Sequence, residues 1–188
     1  MTPQFNDEAR AIIKRGEGSV AHMYLDTVGK VTVGVGNMLA SAEAACELPF
    51  VHSDTLAAAD DPQIIDEYRL LQQQPSGLKA SRYRQYTQLI LTGGEIDVLL
   101  DQRIAGFVKQ LQTDFPGYED YPLPAQLGLL DMAFNLGNHG LISKFPTFTR
   151  AARNKDWATC ENECQRRGIA DWRNSEVKAL FQQSTLAS

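Results

Sequence analysis

A chain of 188 residues, 43% apolar and 22% charged with a formal net charge of −5, has the length of one domain and the composition of an ordinary folded protein. These values exclude a disordered tail, a collagen-like fibre and a disulfide-dense miniprotein, and the longest apolar runs are too short to span a membrane. Charge is unevenly spread: residues 1–40 carry 4 Lys/Arg against 4 Asp/Glu, residues 41–137 carry 6 against 14, and residues 138–188 carry 8 against 5. Such a chain is a poor nucleic-acid binder and no nucleic-acid partner is expected, because phosphate binding draws on clustered Lys and Arg, although the basic C-terminal third could tolerate an anionic polymer.

Residues 1–16 are charged and amphipathic and lack the apolar core of a secretory signal. Phe5, Ala9, Ile12 and Ile13 recur at helical spacing after Thr2-Pro3 or Asn6, and Lys14-Arg15-Gly16 reads as the stop. From Met23 to Val35 the period becomes two. Val31, Val33 and Val35 point one way, and Lys30, Thr32, Gly34 and Gly36 the other. Asp26-Thr27-Val28-Gly29 reads as the hairpin turn between the two strands.

Between 40 and 85 the pattern is weak. Asp61-Pro62 reads as a cap and first-turn proline leading into Ile64, Ile65, Tyr68 and Leu71, with Pro75-Ser76-Gly77 as the end. Thr92 and Glu95 have capping-box spacing and open a helix through Ile96, Leu100, Ile104 and Leu111, closed by Pro116-Gly117. Leu127 to Leu136 is apolar nearly all round, which predicts a central buried helix ended by Gly137. Shorter helices are expected near 147–153, 156–167 and 173–183, with Trp157, Cys160 and Cys164 as one inward stripe. The expected architecture is α+β: a small lobe with a β-hairpin sheet, then a larger helical lobe.

Three cysteines, Cys46, Cys160 and Cys164, cannot all pair within one chain. Cys160 and Cys164 share a helix face, where a bridge would be strained, and neither has a histidine beside it for zinc. They are expected to be buried free thiols in a reducing compartment. His22, His52 and His139 stand apart from any ligand cluster, so no metal site and no cofactor is expected.

Glu17 directly follows the first helix. There it faces the negative end of the helix dipole, which disfavours its charged form and suits a general acid. Taken alone it reads as a solvated turn residue. Asp26 at the hairpin mouth reads alone as a turn-forming Asp, but the hairpin brings it beside Thr32, and a carboxylate with a hydroxyl can orient one water. Gly34 and Gly36 either open that face to a ligand or merely curve the sheet. Two carboxyl groups flanking a site, one protonated and one ionised with a water between, are the layout for inverting glycoside hydrolysis.

Together these residues resemble a family. Glu17-Gly18, Tyr24-Leu25-Asp26-Thr27, Gly29 and Thr32-Val33-Gly34-Val35-Gly36 are similar to the phage T4-type lysozymes of glycoside hydrolase family 24, whose signature is Glu, eight residues, Asp, five residues, Thr, then a Gly-x-Gly strand. Leu91-Thr92, the run Leu130 to Gly137, Phe145 to Trp157 and Arg173 to Phe181 resemble that family's later helices.

The resemblance implies a single lysozyme-like domain over 1–188. Residues 1–40 would hold the catalytic helix and hairpin, 41–90 an atypical acidic insert, and 91–188 an interlobe helix and helical lobe, with the sugar in a cleft between lobes. It implies Glu17 as general acid and Asp26 with Thr32 as the pair that positions water. Arg173 would pair with the acid. Tyr24, Gly36, Met38, Phe134 and Asn135 would bind substrate, although Phe134 reads equally as core. Asn37 departs from the family, which has a salt-bridged histidine there.

The implied activity is a muramidase that hydrolyses the β-1,4 bond between N-acetylmuramic acid and N-acetylglucosamine in peptidoglycan glycan strands. The rivals are a lytic transglycosylase and a non-catalytic wall-binding module. Without a signal sequence, the expectation is a phage endolysin or an interbacterial effector toxin, made in the cytoplasm and carried to the wall by separate machinery. The acidic insert favours binding of an immunity or delivery protein.

Overall fold

The computed structural model describes residues 2–186. The protein is α+β: among the described residues, ten α-helices accompany a three-stranded and a two-stranded antiparallel sheet. Two compact units emerge, one of residues 17–101 and one that joins residues up to 16 with residues from 102 onward. No described helix is long and apolar enough to cross a membrane.

The chain opens with α1 (Pro3–Glu17), which buries Phe5, Ala9 and Ile13 as the helical spacing predicts. It runs past the expected stop at Gly16, so Glu17 is the last residue of the helix rather than the first beyond it. In the 17–101 unit, β1 (Val20–Leu25) pairs antiparallel with β2 (Val31–Gly34), and β2 with β3 (Asn37–Met38). The β1–β2 loop is Thr27-Val28-Gly29. Gly29 N–H donates to the Asp26 carbonyl at 3.1 Å, and Gly29 takes φ +79°, the left-handed residue that a three-residue hairpin loop needs.

The second strand ends sooner than its alternation suggests. Gly34 and Gly36 adopt φ +66° and +67°, and the chain reverses there into β3. Val31 to Val35 are all buried, so both faces of β2 are covered. Alternation in the sequence marks the strand but not an open face.

Residues 41–90 form α2 (Ala42–Cys46), β4 (Val51–His52), α3 (Asp61–Gln72), α4 (Ala80–Tyr83) and β5 (Leu89–Ile90). The cap of α3 is Asp60, one residue earlier than expected, in a capping box with Gln63; the helix ends at Gln72, before Pro75. Both α3 and α4 pack against β1, and α2 packs on α3. Buried Tyr68 donates to the Leu39 carbonyl (3.2 Å), and Leu91 N–H donates to Ala21 (2.9 Å), so this segment braces the hairpin sheet.

α5 (Gly93–Asp114) begins as predicted, with Thr92 accepting from Glu95 N–H at 3.4 Å. In the other unit, α6 (Leu123–Leu136) is the central helix, with every residue from Leu127 to Phe134 buried. α7 (Asn138–Lys144), which the sequence pattern did not single out, α8 (Pro146–Arg153), α9 (Trp157–Glu163) and α10 (Asp171–Leu186) follow. Phe181 packs edge-on to Phe148 (5.3 Å) and stacks on Trp157 (6.4 Å). Each such fully buried ring contributes about 1.5–3 kcal/mol. The three cysteines are free thiols; Cys160 and Cys164 are buried, but Cys46 is only half-buried, against expectation. Burial pushes the Cys160 thiol up to about 12, with Asp156 and Cys164 adding to the effect, so it is an inert core group.

Candidate active site

The hairpin brings Asp26 and Thr32 together. Register pairs Tyr24 with Thr32 and Thr32 with Met38, so these three form one row across the sheet. Asp26 pairs with Lys30, its N–H donating to the Lys30 carbonyl at 2.9 Å, which puts it diagonal to Thr32 on the same face. The same carbonyl accepts from Thr32 Oγ1 at 3.0 Å. One backbone oxygen therefore locks the main chain of one residue and the side chain of the other.

The Asp26 carboxylate is fixed by its own turn. Its Oδ1 accepts from Val28 N–H at 2.9 Å and from Lys30 N–H at 2.8 Å. This is the turn-forming role that a lone Asp suggested, and it orients the group without using Oδ2. Thr32, donating its proton to Lys30, keeps its oxygen lone pairs for accepting. Thr32 is only 3% exposed, so the hydroxyl first of all closes the hairpin.

Two expected features are corrected. A Cβ at Gly34 would meet Ile96 at 3.5 Å, so the glycine face at that position is covered by α5 and is not where a ligand approaches. Gly36 lies exposed in the reversal beyond β2, not on the strand. Met38 stands 53% exposed and Tyr24 is half-buried, so the outer part of the Tyr24–Thr32–Met38 row offers the accessible surface. Glu17 is exposed at the end of α1, with only Gly18 and Ser19 between it and β1, the strand that leads to Asp26.

Arg173 is no solvated helix-start arginine, since it is 5% exposed. Its Nη2 and Nε approach Asp131 Oδ1 at 2.8 and 3.0 Å, and its Nη1 donates to the Gly16 carbonyl at 3.3 Å. A Cβ at Gly16 would sit 2.5 Å from Arg173 Cζ, so any side chain there would have to displace the guanidinium. The Gly16 carbonyl belongs to the peptide that carries Glu17 N–H, and Arg15 on the same turn pairs with Glu176 on α10 at 2.6 Å. The end of α1 is thus held from α10 at two points.

Asp131 and Arg166 complete this cluster, and the sequence reading passed over both. Asp131 is 1% exposed, and Arg166 Nη2 lies 2.8 Å from its Oδ2, poorly aligned for a hydrogen bond but close enough for strong attraction. Asn174 accepts from Arg166 N–H at 3.1 Å and donates to its carbonyl at 2.9 Å. Burial pulls the Arg166 pKa down and Asp131 opposes it. The signal was available: an aspartate inside an otherwise apolar buried run demands a cationic partner.

Phe134 is 9% exposed, with its ring 4.8 Å from Phe107 and the Arg103 guanidinium 4.7 Å above it, which favours the core alternative over direct substrate contact. Asn135 beside it is half-buried. His22 bonds the Ala80 carbonyl (3.0 Å) and His52 bonds Gln63 (3.2 Å), both within the scaffold. Among the described residues, no group of three or more His, Cys, Asp and Glu could hold a metal ion. No known family model matches this sequence, and no curated protein matches it either.

Proposed function

We propose that the chain is a peptidoglycan muramidase of the T4-lysozyme type. The observation that supports this most is the hairpin. Asp26 and Thr32, at the spacing of the family signature after Glu17, share one face, and the Lys30 carbonyl ties both. In this reading the fold is lysozyme-like and α5 is the interlobe helix.

Glu17 protonates the glycosidic oxygen of the leaving sugar. A water bound by Asp26 Oδ2, with its second O–H donating a hydrogen bond to the Thr32 oxygen, attacks the anomeric carbon from the opposite face and inverts it. Asp26 takes up the proton released by the water, and the two carboxyl groups then exchange protons with solvent. Tyr24 and Met38 line the sugar's approach along the same row. The Arg173 clamp on Gly16 is a positioning device for the acid, since it fixes the peptide plane from which Glu17 departs. The role in biology is that of an endolysin or an interbacterial effector, with residues 41–90 as the surface for an immunity or delivery protein.

Digestion of purified peptidoglycan by wild type and Glu17→Gln, with products read by mass spectrometry, tests the reading. Hydrated muropeptides from the wild type alone are expected. Anhydro-sugar products would make the protein a lytic transglycosylase. Sedimentation with the wall but no products from either would leave a binding module.

A further inference from the structure

A hollow of about 300 Å³ opens on the 17–101 unit between α3 and the β4–β5 pair, and none of its lining residues belongs to the Tyr24–Thr32–Met38 row. Its two walls are tied together across the gap. Glu67 of α3 accepts through Oε2 from the backbone N–H groups of Gln88 (2.6 Å) and Leu89 (3.1 Å), and His52 of β4 bonds Gln63 of α3 at 3.2 Å. Glu67, Gln88 and Leu89 all line the hollow, so the carboxylate that bridges them lies in its floor.

That floor carries a charge with incomplete compensation. Glu67 is 7% exposed, and its Oε1 has no hydrogen-bond partner among the described residues. Arg84 gives its guanidinium to Thr87 and Ser53 and acts on Glu67 only through space. A desolvated carboxylate in this position is unfavourable until a cation stands near it. Oε1 itself is sealed from solvent, so a cation in the hollow is held by the poorly screened field of Glu67 and not by contact with that oxygen. Direct bonds come from the rim, where Asp66 is exposed.

The rest of the lining selects the kind of cation. Leu70, Tyr86 and Leu89 supply carbon surface, and Leu70 is 42% exposed. A hard divalent metal ion takes about six to eight oxygen ligands and has no use for such a wall. The methylene stem of an arginine or lysine packs on carbon while its charged head stays at the wet rim. The surroundings favour a protein over a lone amine: residues 41–68 carry seven Asp and Glu and no Lys or Arg, and all of the seven except Glu67 are exposed. Such ground complements a basic protein surface.

We infer that this hollow is the docking site for an arginine or lysine side chain of a protein partner, with the stem on Leu70, Tyr86 and Leu89 and the charged head at Asp66 over the buried Glu67 carboxylate. The inference rests on the partner surface proposed for residues 41–90 for the nature of the occupant, and is independent of the hydrolase chemistry.

The blocked peptide acetyl-Gly-Gly-Arg-Gly-Gly-amide and its citrulline counterpart, which keeps the shape and lacks the charge, would be titrated into isotope-labelled protein and followed by NMR. A charge-assisted contact predicts about tenfold tighter binding of the arginine peptide, with shifts centred on the Gln88 and Leu89 amides. Glu67→Gln retains an acceptor for those two N–H groups and should bring the two peptides level. Leu70→Lys, at an exposed position remote from the floor bonds, places a tethered cation at the mouth and should also erase the preference, which keeps the test intact if Glu67→Gln fails to fold. Propylguanidinium, the same head and stem without a backbone, should bind more weakly than the peptide, because exposed Gln88 at the rim can pair with a peptide backbone.

No arginine preference in the wild type, or a preference that survives in folded Glu67→Gln or in Leu70→Lys, overturns the inference. Propylguanidinium binding as tightly as the peptide assigns the hollow to a free cation and overturns the protein partner. The two readings fail separately. A protein that cleaves peptidoglycan and shows no arginine preference loses only the hollow. One that shows the predicted variant pattern and never cleaves loses only the hydrolase.

Discussion

Asp131→Asn is the most informative single change in the buried cluster. The carboxylate is 1% exposed and has two arginines at 2.8 Å, one of which also holds the Gly16 carbonyl. Asparagine keeps the shape but replaces one acceptor oxygen by an NH2 group that points at a guanidinium, leaving two buried cations against no anion. Removing one partner of a buried pair costs about 3–5 kcal/mol, mainly because the survivor stays desolvated. Two survivors place this variant at the upper part of that range.

Urea unfolding of the wild type and the variant at neutral pH, with the slope compared, measures the loss. A fall in midpoint at constant slope identifies lost native stability. Arg166→Met should cost less, since Asp131 retains the two-point contact from Arg173 and the methionine fills the space. The reasoning is refuted if Asp131→Asn loses under about 1 kcal/mol, or if Arg166→Met is the more damaging of the two. High salt should leave the difference standing, because a dry pair is poorly screened.

Other consequences are open to the same kind of measurement. Gly16→Ala must push the Arg173 guanidinium aside, which should cost about 1–3 kcal/mol by overpacking and, under the proposed function, lower kcat more than it raises KM; unaltered melting would contradict the clamp. Thr32→Val removes the bond to Lys30 and should cost about 1 kcal/mol; a fall in turnover of tenfold or more at saturating substrate would mark the hydroxyl as part of the water site, and full activity would confine it to the hairpin. Burial raises the Glu67 carboxyl above 4.5, against the bonds it accepts from Gln88 and Leu89 and the charges of Arg84 and His52. The unfolded chain then releases this proton first, so stability declines as pH rises from 4.5 through the raised value and stays lower at neutrality. Glu67→Gln should flatten that limb of a Tm-against-pH curve, and a parallel curve would rule the effect out. Burial lowers His22, despite its bond to Ala80, so its contribution has the opposite sign: stability is lost as pH falls below 6.5, and His22→Gln should soften that decline.

Some of the molecule is local, and that part was legible. α1, the β1–β2 hairpin, the start of α5 at Thr92 and the buried run of α6 each follow from a period, a cap or a turn within a few residues. The Asp26–Lys30–Thr32 arrangement spans one hairpin, so the sequence alone placed both side chains on one face. Helix ends shifted by a residue or two, because capping bonds such as that of Asp60 depend on which neighbour is free to accept.

Tertiary structure decided what lies far apart along the chain. Arg173 meets Asp131 across 42 residues and Gly16 across 157, and no periodicity encodes such a meeting. The alternation of β2 could not say whether the glycine face was open or merely curved the sheet, and Ile96 of a distant helix covers Gly34, since burial depends on what packs against a strand and not on the strand itself. Of the weakly patterned residues 41–90 only α3 was visible in the sequence; α2, α4, β4 and β5 were not, because they are short and are stabilised by tertiary contacts rather than by their own propensity. Gly106 shows the same division. The sequence displays a glycine inside a helix, and only the fold shows that the space beside it is empty.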